Sequence, residues 1–431
     1  MTVLDVYLYG VHAATLERRR RQDYRLQYSD EYRRLGGAVP LSTRLPVRSA
    51  AHTGIDLLRV LEGYLPDRPE VLERWAREAR LPDTEAFGLL AAYGEDVAGA
   101  AVFVRAGAPV NDQRSLHELD DEAVAARIRA VRADAAEWVT EATDHRFSLG
   151  GAQGKFALAF RAGRWYEPRG AEPSTHILKP GIEKYPDSDV LEHVTLKLAR
   201  ASGIPVAGSE IGTFDGERIL VVERFDRQTT EQGTERLHQE DFAQATGVST
   251  LQKYEKDGGP GVAKIVEIIR SHVDTSAQQP SLLVFGASLV FAWLGAHNDG
   301  HAKNYSLRLL PGRTELAPLY DVNTLLPYLD PRRVRSRDVN LAHELELAFS
   351  IDGERTIGGL TREHWNRLER LLGLPRNTLV EFGIAAADEL VTRANAVLDG
   401  LEPKFQTDRV ELLRYGLFSR RRDALEVLTR T

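Results

Sequence analysis

The sequence predicts an α+β protein with an N-terminal appendage, a small strand-rich lobe and a larger, mostly helical lobe. Three observations predict it. Between about residues 146 and 226, short strand-like segments flank a single helix. Beyond residue 236 the apolar spacing is almost entirely helical. The longest uncharged apolar run, SLLVFGASLVFAWLGA at 281–296, lies inside that helical half and reads as a buried core helix. It falls short of the roughly 20 residues a membrane span needs, so no membrane segment is expected. The expected divisions are 1–140 for the N-terminal subdomain, 141–235 for the strand-rich lobe and 236–431 for the helical lobe.

In chain order, DVYLYG and YRLQYS alternate apolar and polar residues as half-buried strands do. PEVLERWAREARL opens with proline and has the spacing of an amphipathic helix. DVAGAAVFV, at 96–104, reads as another strand, and 115–143 as helical. STHILK and RILVVERF read as strands around the helix SDVLEHVTLKLARASG, which Gly203 and Pro205 should stop. In the helical half, strand-like pieces are expected only around NYSLRLL and ELAPLY.

Composition narrows the function. The 431 residues are 42% hydrophobic and 28% charged, a globular balance. The net charge of −7 argues against bulk electrostatic binding of nucleic acid. With no cysteine, disulfides, thiolate catalysis and Cys-ligated zinc are excluded, and a reducing cytoplasm is the expected location. The N-terminus places its arginines after the apolar stretch, the reverse of a secretory signal.

The densest chemistry follows the apolar run, in AHNDGHAKNYS at 296–306. Asp299 and Asn304 stand five residues apart. Protein kinases use this loop spacing for a catalytic base and a metal-binding amide, because both must face one cleft. Asp321, after the apolar LAPLY, is a second candidate metal ligand, suited by its oxygens to a hard cation. Upstream, SLGGAQGKFALAF carries Gly150, Gly151 and Gly154, which would let backbone N–H groups approach phosphates. Lys179 ends a strand and could reach phosphates, with Glu192 on the next helix as its partner. In LVVERFDR, the backbone of Glu223 and Phe225 would face an adenine ring.

Each element alone has a plainer reading: a turn aspartate, a solvated lysine, a core phenylalanine. Their order carries the argument, since glycine loop, lysine, glutamate, hinge, DxxxxN and Asp follow one another as in a kinase. The rival reading is a zinc pair, His297 and His301 at i, i+4 around Asp299; the glycine at 300 and the missing H-E-x-x-H weigh against it. The basic run RRVRSR at 332–337 could touch phosphates or form a solvated face.

SLGGAQGKFAL, THILKP, LARASGIPVA, LVVERFDR, RLHQEDFAQATG, KYEKDGGP, NDGHAKNYSL and LAPLYDV, spanning 148–322, together resemble the HipA-like serine/threonine kinases of bacterial toxin–antitoxin systems. The resemblance implies a two-lobed kinase fold, ATP and Mg²⁺. It makes Asp299 the catalytic base, with His301 and Lys303 matching the same loop and Lys303 placed to stabilise transferred charge. Asn304 and Asp321 would hold metal. Ser148, Gly150, Gly151, Ala152, Gln153, Gly154 and Lys155 would form the phosphate loop, with Lys179 on the phosphates, Glu192 beside it, and Glu223 and Phe225 at the adenine. It also implies a protein substrate, an aminoacyl-tRNA synthetase in the best-known case, and a helix-turn-helix antitoxin through which DNA is reached indirectly. The sequence departs from the family pattern at His297, where asparagine is usual, and at Gly154, where glutamate is frequent. The alternatives are a catalytically silent fold serving as an antitoxin-binding corepressor, or a kinase for a small molecule or RNA. Ser148 is also a candidate site of self-phosphorylation.

Overall fold

A computed structural model describes residues 3–108, 114–133, 147–148 (backbone only), 151, 153–231 and 233–430. The chain forms two compact units. One comprises Met1–Pro180, Gly212–Gln252 and Ser306–Ala317; the other comprises Gly181–Ile211, Lys253–Tyr305 and Pro318–Thr431.

In the first unit, an antiparallel sheet orders its strands Ala51–Thr53, Asp23–Tyr28, Val11–Arg20, Val3–Leu8 and Ala101–Arg105. The alternation expected of its first strand is present: Leu4, Val6 and Leu8 are buried, while Val3, Asp5 and Tyr7 are half-buried. Against this face pack the helices Ile55–Gly63, Pro69–Glu78 and Ala86–Tyr93, through Leu57, Leu61, Trp75 and Phe87. The second sheet runs Ser209–Phe214, Glu217–Glu223, His176–Lys179, Phe156–Arg161, Arg164–Arg169 and Ser115–Leu119.

The segment 115–143 does not open as a helix. Ser115–Leu119 is a strand on the sheet edge, paired with Arg164–Arg169. Only then does the helix Asp121–Ala133 begin, where the Asp120 carboxylate accepts the Ala123 N–H (2.9 Å). The rest of that segment lies outside the described residues. Nor is 96–104 one strand. It is split into Asp96–Val97 and Ala101–Arg105 around Gly99, whose φ is +81°. The break delivers the Gly99 N–H to the Asp226 carboxylate (2.6 Å), and a Cβ there would lie 2.7 Å from His238 Nδ1.

Asp226 belongs to a buried ionic network of Asp96, Arg224, Asp226, Arg227 and Arg236. Arg224 donates twice to Asp226 (2.9 and 2.8 Å), and Arg227 donates to Asp96 (2.7 Å). Ser174 Oγ donates to the other Asp96 oxygen (2.6 Å). Burial alone would raise Asp226, but Arg224 and Arg227 pull it down to about 2. Burial lowers Arg236 to about 10 despite the attraction of Asp96.

The strand pieces expected near NYSLRLL and ELAPLY are Ser306–Leu310 and Arg313–Leu316. The unanticipated strand His238–Asp241 joins them in a three-stranded sheet within this unit. It buries Glu240, whose oxygens accept Ser42 Oγ–H (2.7 Å) and Thr43 N–H (2.9 Å).

The second unit is mainly helical. Ser188–Ala201 stops two residues before Gly203, which has φ +85°. The expected core helix spans Thr275–Gly295, with Pro280 in its N-terminal half and Phe285 through Gly295 buried. Length and composition alone would let it cross a membrane, yet 67% of its most apolar window is buried by this protein. Around it lie Val262–His272, Arg362–Leu372, Thr378–Asp399 and Asp408–Thr429. Three of the four arginines of the 332–337 run engage their own surroundings: Arg333 pairs with Asp338, Arg335 with Asp408, and Arg337 covers the Phe418 ring at 4.2 Å.

Glu240 links this packing to pH. Burial pushes its carboxyl up to about 7; Thr43 and Ser42 oppose that, and Asp241 adds to it. A carboxyl whose native value exceeds its unfolded one holds a proton more tightly when folded. Its contribution to stability is therefore full below about pH 4.5 and is lost as pH rises toward 7. Glu240→Gln, which keeps the shape without the charge, is expected to melt progressively higher relative to the parent between pH 5 and pH 8. Thermal melts across that range check this; parallel melting curves would contradict it.

Candidate active site

The site is built on the C-terminal end of the core helix. After Gly295 the chain turns at Ala296, whose φ of +49° is left-handed although it carries a Cβ. The orphan carbonyls of the helix end are taken up by the 321–325 segment: Thr324 Oγ1–H donates to Gly295 O (2.7 Å) and Leu325 N–H to Ala296 O (3.2 Å). These bonds hold the loop after the helix and the Asp321 segment side by side. His297, buried at the start of that loop, donates through Nδ1 to the Asn323 side-chain oxygen (2.9 Å). Burial keeps its pKa below the usual imidazole value, against the pull of Asn323, Asp299 and Asp321.

Asn304 forms the centre. It closes the short turn Ala302–Asn304, and its side-chain nitrogen donates to two carbonyls, Asp299 O (2.8 Å) and Asp321 O (3.5 Å). With the nitrogen so engaged, the amide end suited to a hard cation is the oxygen. His301 N–H also donates to Asp299 O (2.8 Å), and Tyr320 Oη–H donates to Lys303 O (2.8 Å). His301, Lys303 and Asn304 are buried, whereas the Asp299 side chain is 42% exposed. Asp321 has φ +54°, a second non-glycine left-handed residue in the same knot. Such conformations cost on the order of 1–3 kcal/mol and persist only where the surroundings enforce them.

The structure therefore brings together Asp299, His301, Lys303, Asn304 and Asp321. It also adds a residue the motif reading quoted without a role. Tyr254, from KYEKDGGP, donates its hydroxyl to Asp299 Oδ1, and its ring meets His301 edge-on at 4.8 Å. A tyrosine inside a glycine-rich motif was the available signal. The zinc arrangement is not formed: the helix ends at Gly295, so His297 and His301 do not share a helical face, and one turns to Asn323 while the other faces Asp299 and Tyr254. Glu192, buried on Ser188–Ala201, also belongs to this unit.

The remaining candidates lie in the first unit. Lys179 is buried at the end of its strand, opposite Leu220, and its neighbour Leu178 pairs with Phe156, the residue after Lys155. The glycine loop thus enters the sheet beside the Lys179 strand, and Gln153 Nε2–H donates to Pro180 O (3.1 Å). Gly151 has φ +105°, and a Cβ on it would stand 2.7 Å from Lys155 Nζ, so the lysine head lies against the loop backbone. Two buried cations beside a glycine loop suit a polyphosphate. Ser148 pairs through its backbone with Val97; its side chain, Gly150 and Ala152 lie outside the described residues. Glu223 pairs with His176 at the strand end and is exposed, with half-buried Phe225 two residues on.

Sequence comparison places these residues among known proteins. A family model for the HipA-like C-terminal domain matches residues 147–397, and one for the HipA N-terminal domain matches residues 4–104. The serine/threonine-protein kinase toxin HipA of Shewanella oneidensis is 30% identical over 374 residues, 83% of this chain and 80% of that protein. Y4mE of Sinorhizobium fredii, named as a kinase, is 31% identical over 336 residues, 76% of this chain and 78% of that one. A chain from the solved Shewanella oneidensis complex of HipA, HipB and operator DNA superposes with a TM-score of 0.82 at 25% identity, covering 99% of this chain and 98% of that one. The fold is accordingly the two-lobed, kinase-like α+β fold.

The Asn304 geometry has a measurable consequence. Asn304→Ala is expected to weaken binding of Mg·ATP by at least about tenfold while changing metal-free ATP binding little. Calorimetry with and without Mg²⁺ checks this; equal losses in both would remove Asn304 from the metal site.

Proposed function

This chain belongs to the HipA family, and on that premise we propose that it is an ATP-dependent serine/threonine protein kinase, the toxin of a toxin–antitoxin pair. The observation that carries the reading is the Asn304 amide bonded to the carbonyls of both Asp299 and Asp321. One side chain ties the backbone of Asp299 to that of Asp321, and with its nitrogen so engaged its oxygen is the atom left for a hard cation.

In this reading Asp299 orients the acceptor hydroxyl and takes its proton. Asn304 and Asp321 supply oxygen ligands to Mg²⁺, which when bound would neutralise triphosphate charge. Lys179, Lys155 and the glycine loop bind the phosphates, and Lys303 stabilises the charge on the group in transit. The backbone at Glu223 and Phe225 receives the adenine. The acceptor is a serine or threonine of a protein, a translation-related one such as an aminoacyl-tRNA synthetase. The partner is a small helix-turn-helix antitoxin, so that DNA is reached through it. The relatives described above support this: one is named a serine/threonine-protein kinase toxin, and the superposed chain comes from a complex with HipB and operator DNA.

Asp299→Asn is expected to fold and bind nucleotide as the parent does, yet lose phosphoryl transfer from [γ-³²P]ATP by at least roughly a hundredfold. Transfer at the parental rate would take the base role from Asp299.

Ser148 opens the phosphate loop, and the reading includes its phosphorylation by the enzyme itself. A phosphoserine adds about −1.5 to −2 charges and would repel the nucleotide phosphates. Incubation with Mg·ATP followed by mass-spectrometric mapping is expected to find phosphate on Ser148 and ATP affinity reduced. An unmodified Ser148, or full ATP affinity after modification, would exclude self-silencing.

A further inference from the structure

We infer that Tyr254 is a positioning residue for the Asp299 carboxylate, an inference that rests on the reading of Asp299 as the base. The bonds that organise the loop around Asp299 reach its backbone: Asn304 Nδ2 and His301 N both donate to the Asp299 carbonyl. They leave the side-chain rotamer unset. That side chain is 42% exposed, so water would otherwise compete for both oxygens and the carboxylate would sample several rotamers. The Tyr254 hydroxyl donates to Oδ1, and His301 Nε2 faces the same oxygen at 3.9 Å. With Oδ1 engaged, Oδ2 is the oxygen presented to an acceptor. The acceptor O–H bond breaks and its proton passes to Oδ2 while the acceptor oxygen bonds to the γ-phosphorus and the bond to ADP breaks.

A tyrosine can aim a carboxylate only if it is itself held. Tyr254 is held on both sides. The preceding carbonyl, Lys253 O, accepts the Ala302 N–H (3.2 Å), which ties the segment to the loop it serves. Behind it, Tyr254 O accepts N–H groups from Asp257 (3.0 Å) and Gly259 (2.9 Å), closing a tight turn. The following side chain, Glu255, accepts the Ser350 hydroxyl (2.8 Å) and backbone N–H, with Arg355 at 3.7 Å. Gly261 leaves room for that anchor, since a Cβ there would stand 2.5 Å from Glu255 Oε1. KYEKDGGP thus forms a pedestal: Glu255 is its foot on Glu346–Ile351, and the Tyr254 hydroxyl is its tip. The ring's edge-on contact with His301 fixes the remaining rotation.

The test compares the parent, Tyr254→Phe, Asp299→Asn and the double variant, measuring ADP formation from Mg·ATP, a readout that counts every acceptor including water. Phenylalanine keeps the ring and its His301 contact and deletes only the hydroxyl. The expected result is a kcat reduced roughly tenfold to a hundredfold, with the KM for Mg·ATP and the melting temperature unchanged. In the Asp299→Asn background, the same deletion is expected to cost nothing further, because the carboxylate it aims is already gone. A Tyr254→Phe protein that turns over at the parental rate overturns the inference. So does a loss confined to KM or melting temperature, and so does an equal loss in both backgrounds. Full activity in Asp299→Asn, or a parent that forms no ADP, would instead overturn the base or kinase reading beneath it.

Discussion

The buried network of Asp96, Arg224, Asp226, Arg227 and Arg236 is the constraint on which the first unit depends. Three buried guanidinium groups and two buried carboxylates are costly unless most of their donors and acceptors are satisfied. Here the surplus donors reach backbone carbonyls: Arg224 and Arg227 to Val97 O, Arg227 to Gly99 and Ser174 O, and Arg236 to Ala171 O. At Gly99 the chain breaks to give its N–H to Asp226 and its carbonyl to Arg227, and the apolar, strand-like stretch is interrupted there. The partners come from residues matched by two different family models, Asp96 from the N-terminal one and the arginines from the C-terminal one. The network therefore joins these two regions into one unit. It also fixes the backbone around Glu223 and Phe225, which lie between or beside its members. Removing a single partner from such a network typically costs about 3–5 kcal/mol, because the others stay buried and uncompensated.

The second unit solves a different problem, how to end a helix that is buried along its C-terminal half. Buried carbonyls at a helix end need donors. The 321–325 segment supplies them through Thr324 and Leu325, and in doing so brings Asp321 beside the loop that carries Asp299 and Asn304. The left-handed Ala296 and Asp321 are where the chain bends to permit this. The helix-capping requirement and the site geometry are thus one arrangement, with the apolar run supplying a rigid base and the polar cluster resting on its end.

The sequence by itself determined the α+β class, the ordering of strand-rich and helical regions, the core helix and the spacing of Asp299, Asn304 and Asp321. Those features are local. Period-2 alternation in Val3–Leu8, the apolar density of 281–295 and a five-residue interval are all contained within short stretches of chain, and the motifs that signal kinship are equally short. What the tertiary structure decided is what needs a distant partner. Ser115–Leu119 becomes a strand because an edge of Arg164–Arg169 is there to receive it. His238–Asp241 becomes one because Ser306–Leu310, far along the chain, pairs with it. Tyr254 meets Asp299 across 45 residues, and the arginines beside Glu223 go inward because Asp96 is waiting more than a hundred residues upstream. Periodicity reports which face of an element is apolar. It does not report which buried charge or unpaired edge will lie opposite, and that choice is made only when the chain closes on itself.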